Sequence, residues 1–264
     1  MSAQEAYEAT QAQQERIQNE IKETQPLISE LLPLSSLEKD FGGHNSYLEK
    51  LKILCGKYQG MRRVRGDGNC FFRSFGFSFL ESLLKQSNAS AFDRIKERCE
   101  FYKNYLIQQG YSEFTIQDFY EQFLEMVDCL KMDSDISKLE EIFNNQGFSD
   151  YYIVFLRLLV SSYLQMNAAY YQAFIEEGMT MKQFCEKEVE PMYIESDNIH
   201  IIALSQSLLV NINVENCQNS GDIQCLTFTP SHIDSQSKDE IFINSYITLL
   251  YRPGHYDILY ENDL

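Results

Sequence analysis

The sequence predicts an α+β fold, a helical body around a small C-terminal mixed sheet, and three observations carry that expectation. Apolar residues recur at helical intervals from Leu48 to Leu208. Beyond Leu209 the period drops to two: Val210, Ile212 and Val214 alternate with polar neighbours, which is a strand pattern. Finally, 264 residues at 44% hydrophobic and 13% aromatic content suffice for one domain with its own core. Helices followed by strands, rather than alternating with them, are the mark of this class.

Residues 1–24 are polar and helix-prone, with Tyr7, Ile17 and Ile21 as the only large apolar side chains, and Pro26 ends any helix there. That stretch reads as an arm and residues 25–264 as the compact domain. Ser46 and Glu49 have capping-box spacing, and Leu48, Leu51, Leu54 and Tyr58 follow at helical intervals. A basic segment, 61–65, reads as extended and leads into Gly66-Asp67-Gly68-Asn69-Cys70. The next helix carries Phe71, Phe75, Phe79 and Leu83 on one face. Phe92, Ile95, Cys99, Tyr102 and Leu106 mark another, stopped by Gly110. Thr115 is the expected cap of a helix with Phe119, Phe123, Met126 and Leu130 inside it. Helical spacing continues over 150–165, again from Thr180, where Gln183 completes a capping box, and over 199–208. Strands are expected at 210–214, 241–251 and 255–260, the last two joined across Arg252-Pro253-Gly254. Residues 215–239, rich in Ser, Asn, Gln and Asp, read as a surface loop.

A formal net charge of −17 repels a phosphate backbone and an anionic lipid surface, so neither nucleic acid nor membrane is an expected partner. A protein with a basic or mixed surface is. Seven cysteines at irregular spacing, and no apolar core within residues 1–23, lead us to expect free thiols in the cytosol or nucleus. The most apolar run, 151–160, is broken by Arg157 and too short to span a bilayer, so a soluble protein is expected. Cys217, Cys225 and His232 fit no standard zinc spacing, and no metal or organic cofactor is expected. Cys55, Cys99, Cys129 and Cys185 read as small core residues, and His44 and His200 as ordinary surface or core histidines.

Two segments carry chemistry. In the first, glycines flanking Asp67 allow a sharp turn, and Cys70 falls at the start of an apolar-striped helix. Unpaired N–H groups and the dipole at a helix N-terminus favour a thiolate and can also bind the oxyanion of an acyl-transfer intermediate. A buried structural cysteine after a glycine loop would look the same. In the second, Pro253-Gly254 signals a turn and His255 opens a strand. Residues i and i+2 of a strand share a face, so Asp257 can orient the His255 imidazole while Tyr256 points the other way or flanks the cleft. A partly exposed hairpin histidine is the plainer reading of that segment alone.

Taken together, Asp67-Gly68-Asn69-Cys70-Phe71-Phe72-Arg73 and the distant Gly254-His255-Tyr256-Asp257 resemble the ovarian-tumour class of deubiquitinating cysteine peptidases. Phe75-Gly76-Phe77-Ser78, Tyr163-Leu164-Gln165, Phe184-Cys185-Glu186, Glu188-Val189-Glu190-Pro191-Met192 and the run from Tyr251 to Tyr260 are similar to the otubains. The resemblance covers residues 24–260 and implies a papain-like fold. It makes Cys70 the nucleophile, His255 the general base and acid, Asp257 its orienter, and Asp67 the residue that shapes the oxyanion loop. Gly68, Asn69 and Tyr256 would contact substrate. The implied reaction is hydrolysis of the isopeptide bond after the C-terminal Gly-Gly of ubiquitin, in a cleft too narrow for side chains at those positions. The implied partners are ubiquitin and polyubiquitin, with lysine-48-linked chains preferred, and a ubiquitin-conjugating enzyme. Two other readings remain at this point: a protein that binds ubiquitin and a conjugating enzyme without cleaving, and a peptidase for a ubiquitin-like modifier.

Overall fold

One helix, α2 (Cys70–Gln86), organises the core of the computed structural model, because it is apolar on nearly all sides. Phe71, Phe72, Phe75, Phe77, Phe79, Leu80 and Leu83 are each 1% exposed or less, so the expected one-sided stripe is instead a fully enclosed helix. The structure describes residues 23–40, 45–86, 89–132, 135–218, 220–230 and 246–262, with Gln13, Arg16, Glu20 and Ile21. Of the arm's apolar residues, Tyr7 and Ile17 lie outside these.

The other long helices are α1 (Asn45–Lys57), α3 (Ala89–Gln108), α4 (Glu113–Met132), α5 (Ile136–Asn144), α6 (Gln146–Met166) and α7 (Asn198–Leu208). Aromatic packing joins them: Phe77 meets Phe143 edge-on at 5.3 Å, and Phe123 stacks on Phe155 at 4.8 Å and on Tyr152 at 5.9 Å. Short helical turns between Met181 and Val189 carry the expected Thr180–Gln183 capping box.

Among the described residues the sheet has five strands, β1 (Tyr58–Arg62), β2 (Asn211–Asn216), β3 (Gln224–Phe228), β4 (Tyr246–Arg252) and β5 (His255–Glu261), in the order β1-β5-β4-β2-β3. Only β2 and β4 run parallel, so the sheet is mixed as expected. β5 lies between β1 and β4, which fixes its register from both sides. The turn before it has Pro253 followed by Gly254 at φ +74°, the pattern of a type II turn. Leu27 and Ile28 are buried, Ile28 bridging to Val64, so the chain joins the body directly after Pro26.

Several expectations are corrected. Tyr58 keeps the helical spacing of α1 but opens β1, where it pairs with Glu261 and donates to the buried Glu215 carboxylate. Within the expected loop 215–239, residues 224–228 form an edge strand. Only Leu226 and Phe228 reach the core, and their polar neighbours hide the alternation. Ser46 lies inside α1 rather than before it. Ser112, not Thr115, caps α4 by accepting the Thr115 N–H. Cys99 and Cys185 are buried, but Cys55 faces solvent. His200 is a core histidine, and His44 and His232 lie outside the described residues.

Gly76 sits where α2 crosses α6, and a Cβ there would come within 2.5 Å of the buried Tyr152 ring. Gly76→Val is therefore expected to destabilise by about 2–3 kcal/mol through overpacking. Gly56 in α1 has open space around it, so Gly56→Ala is expected to be neutral or to stabilise by up to about 1 kcal/mol. Denaturant unfolding of both variants checks the contrast.

Candidate active site

Cys70 is the first residue of α2, and its side chain is 4% exposed. The first helical bond runs from the Arg73 N–H to the Asn69 carbonyl at 2.9 Å. The N–H groups of Cys70, Phe71 and Phe72 thus have no intrahelical acceptor. The preceding loop is held by Asp67, one of whose carboxylate oxygens accepts both the Asn69 N–H at 3.0 Å and Arg73 Nη1 at 2.8 Å. Arg73 is fully buried and reaches on to Ser149 Oγ at 3.2 Å, tying the loop to the start of α6.

His255 and Asp257 point to the same side of β5, as their spacing requires. His255 Nε2 lies 2.9 Å from Asp257 Oδ1. A carboxylate only accepts, so Nε2 carries the proton and Nδ1 is left for Cys70, whose sulfur acts on the ring. Burial alone would depress the imidazole pKa. The bonds to Asp257 and Cys70 and their charges outweigh it and raise the pKa to about 9. At neutral pH His255 is accordingly an imidazolium, the counterion a thiolate needs.

Asp257 is fully buried and has three donors: the Val64 N–H at 3.0 Å, His255, and Arg252 Nη2 at 2.6 Å. Burial pushes its pKa up, but His255, Arg252 and the Val64 N–H together hold it below the ordinary carboxylate range. Arg252 is braced in turn by Asp40, 3.2 Å from its Nη1.

The structure thus brings Cys70, His255, Asp257 and Asp67 to one place, with Gly68 and Asn69 in the loop between them. Gly68 has φ +77°, and a Cβ on it would lie 2.3 Å from the Tyr193 carbonyl oxygen. Asn69 is wholly buried, its Oδ1 accepting from Arg157 and from the Tyr193 N–H, so its side chain holds the loop instead of facing substrate. Tyr256 turns to the opposite face of β5 and packs edge-on against Phe71, with ring centroids 5.4 Å apart. It also lines a groove of about 900 Å³ shared with Tyr163, Tyr171, Ile199, Ile202 and Tyr251. Neither Cys70 nor His255 lines that groove. Among the described residues no group of three His, Cys, Asp or Glu side chains is arranged to hold a metal.

Sequence reasoning missed Arg157, which it took as an interruption of an apolar run. A charge inside such a run was the available signal, since a buried arginine is rare without a task. It also missed Tyr193, in the left-handed region at φ +68°, and the Val64 N–H; neither has a sequence signature.

The family model for peptidase C65, otubain, matches residues 20–261. Ubiquitin thioesterase OTUB1 of Homo sapiens is 45% identical over 255 residues, covering 96% of this chain and 90% of that protein. The ovarian tumor domain-containing deubiquitinating enzyme 1 of Arabidopsis thaliana is 42% identical, covering 89% of this chain and 81% of that one. Among solved structures, h/ceOTUB1 in complex with ubiquitin aldehyde and UBCH5B~Ub superposes with a TM-score of 0.84 at 31% identity, covering 98% of this chain and 99% of that one. With a thiol, an imidazole and a buried carboxylate assembled on the fold of these relatives, the chain belongs to the otubain family of peptidases, family C65.

Proposed function

We propose that this chain is a cysteine-type deubiquitinase, a thiol isopeptidase that hydrolyses the bond between the ubiquitin C-terminus and a lysine. The carrying observation is the Cys70 thiol at the N-terminus of α2 beside the His255 imidazole, which is itself hydrogen-bonded to the buried Asp257. The substrate class rests on the relatives: ubiquitin thioesterases in sequence, and a complex containing ubiquitin aldehyde in structure.

In this reading the Cys70 thiolate attacks the carbonyl carbon of the terminal glycine, and the carbonyl electron pair moves onto oxygen. N–H groups at the start of α2 and in the 66–69 loop receive that oxyanion. The intermediate collapses with cleavage of the C–N bond as the His255 imidazolium gives its Nδ1 proton to the departing lysine amine. Water then attacks the thioester, His255 taking its proton, and free ubiquitin and the thiolate are regenerated. Asp257 keeps the ring oriented and its Nε2 protonated throughout.

Two finer elements belong to the same proposal. Binding of a ubiquitin-conjugating enzyme is supported by the solved complexes that contain UBCH5B~Ub and UBC13~Ub. A preference for lysine-48-linked chains, with residues 1–24 as a recruiting arm, is supported by the otubain resemblance and by the arm's polar composition. Seven free thiols support placing the protein in the cytosol or nucleus.

A ubiquitin bearing a C-terminal electrophile is expected to label Cys70 and no other cysteine, as peptide mapping will show. Labelling of Cys55 or Cys185 with Cys70 free would sink the assignment. Asp257→Ala is expected to cut kcat/KM for di-ubiquitin by roughly 10²-fold or more, since the imidazole loses its tautomer and orientation. Deleting residues 1–23 is expected to leave probe labelling and melting temperature nearly unchanged while cleavage of lysine-48-linked di-ubiquitin falls, mainly through a higher KM. Joint loss of labelling and thermal stability would show the arm to be part of the body.

A further inference from the structure

Arg157 lies inside α6, is 0% exposed, and none of its hydrogen-bond acceptors is a carboxylate. Nη1 donates to the Val189 carbonyl at 2.9 Å. Nη2 faces the Gly68 carbonyl at 3.1 Å, Asn69 Oδ1 at 3.0 Å and the Ile194 carbonyl at 2.8 Å. The guanidinium also sits 4.5 Å from the centre of the Phe72 ring. One planar fork therefore grips two separate segments, the loop that leads into Cys70 and the 189–194 turn.

The two segments are also locked to each other. Asn69 Oδ1 accepts the Tyr193 N–H at 3.0 Å, and the Tyr193 carbonyl lies so close over Gly68 that no side chain fits there. Tyr193 holds φ +68°, a conformation that costs a non-glycine residue about 1 kcal/mol or more unless its surroundings impose it. Desolvating an unpaired guanidinium is costly too. Both costs are met where the peptide planes of Gly68 and Asn69 are set, beside the atom that must attack.

We propose that Arg157 is the positioning residue of the oxyanion site, fixing the Gly68–Asn69 backbone so that the N–H groups around Cys70 point at the developing oxyanion. This rests on the peptidase reading above and deepens it. Burial lowers the Arg157 pKa to about 10, with Asp67 and Cys70 acting to raise it, so the guanidinium stays charged at neutral pH. The fork shape matters as much as the charge, because a lysine ammonium is a point donor that cannot span both segments.

The test uses two reagents that differ in one respect. Iodoacetamide alkylates Cys70 by displacement at carbon and creates no oxyanion. Ubiquitin aldehyde adds Cys70 to a carbonyl and creates one. In Arg157→Lys, alkylation of Cys70, followed by peptide mapping, is expected to keep the wild-type rate. Affinity for ubiquitin aldehyde and kcat on di-ubiquitin are expected to fall about 10²-fold, with KM little changed. A parallel fall in alkylation would show that Arg157 serves only the fold or the thiolate and would overturn the proposal, as would an unchanged kcat. If Arg157→Lys does not fold, Asn69→Ala, which removes an acceptor shared by Arg157 and Tyr193, must give the same split, and either a parallel loss or wild-type kcat refutes it. Failure of the wild-type enzyme itself to form the aldehyde adduct at Cys70 would overturn the peptidase reading instead.

Discussion

The carboxylate of Asp257 is the group on which the rest of the site depends. A buried carboxylate is tolerated only if charge and hydrogen bonds replace the water it has lost. Here a main-chain N–H from Val64, the guanidinium of Arg252 and the ring of His255 supply them. Each partner comes from a different place: the segment after β1, the end of β4, and β5 itself. The carboxylate thereby locks together three neighbouring pieces of the sheet, and the imidazole inherits their rigidity. The opposite face of β5 does the complementary task. Tyr256 packs on Phe71, and its carbonyl accepts from Ser74 Oγ at 3.2 Å, so the strand that holds the histidine also docks the helix that presents the thiol.

The other half of the site is built in the same way, from buried polar groups that are satisfied by backbone. Arg73 and Asp67 hold the loop from the side of α2. Arg157 and Asn69 hold it from the side of α6 and the 189–194 turn. Tetrahedral intermediates demand donors fixed in advance, because donors that must reorganise during the reaction contribute little. Such a loop cannot be tethered by apolar packing alone, which is non-directional.

Much of this was legible in the sequence, for identifiable reasons. The pairing of His255 with Asp257 follows from the period of a strand, and the place of Cys70 from a glycine turn meeting an amphipathic run. α3 and the capping box at Thr180 follow from spacing rules that act over a few residues. Partnerships between residues distant in the chain did not show: Arg157 with Asn69, Val64 with Asp257, Asp40 with Arg252. β3 escaped because an edge strand needs few apolar residues, and β1 because Tyr58 satisfies a helical and a strand pattern equally. Asn69 and Tyr256 sit in the motifs but are buried by their neighbours, which only the fold reveals.

Charge ties the account together. The raised pKa of His255 means that imidazolium stabilises the folded state fully below the ordinary histidine value of 6.5, and that this contribution is lost as the pH rises through about 9. Asp257 has the opposite sense: its contribution is present above the ordinary carboxylate value of 3.8 and is lost as the pH falls through its lowered pKa. The direct measurement is an NMR titration of the His255 ring in the wild-type protein and in Asp257→Asn. The expected result is a transition near pH 9 in the wild type that moves down towards 6.5 in the variant. A transition that stays in place when the carboxylate is removed would show that Asp257 does not hold the imidazole.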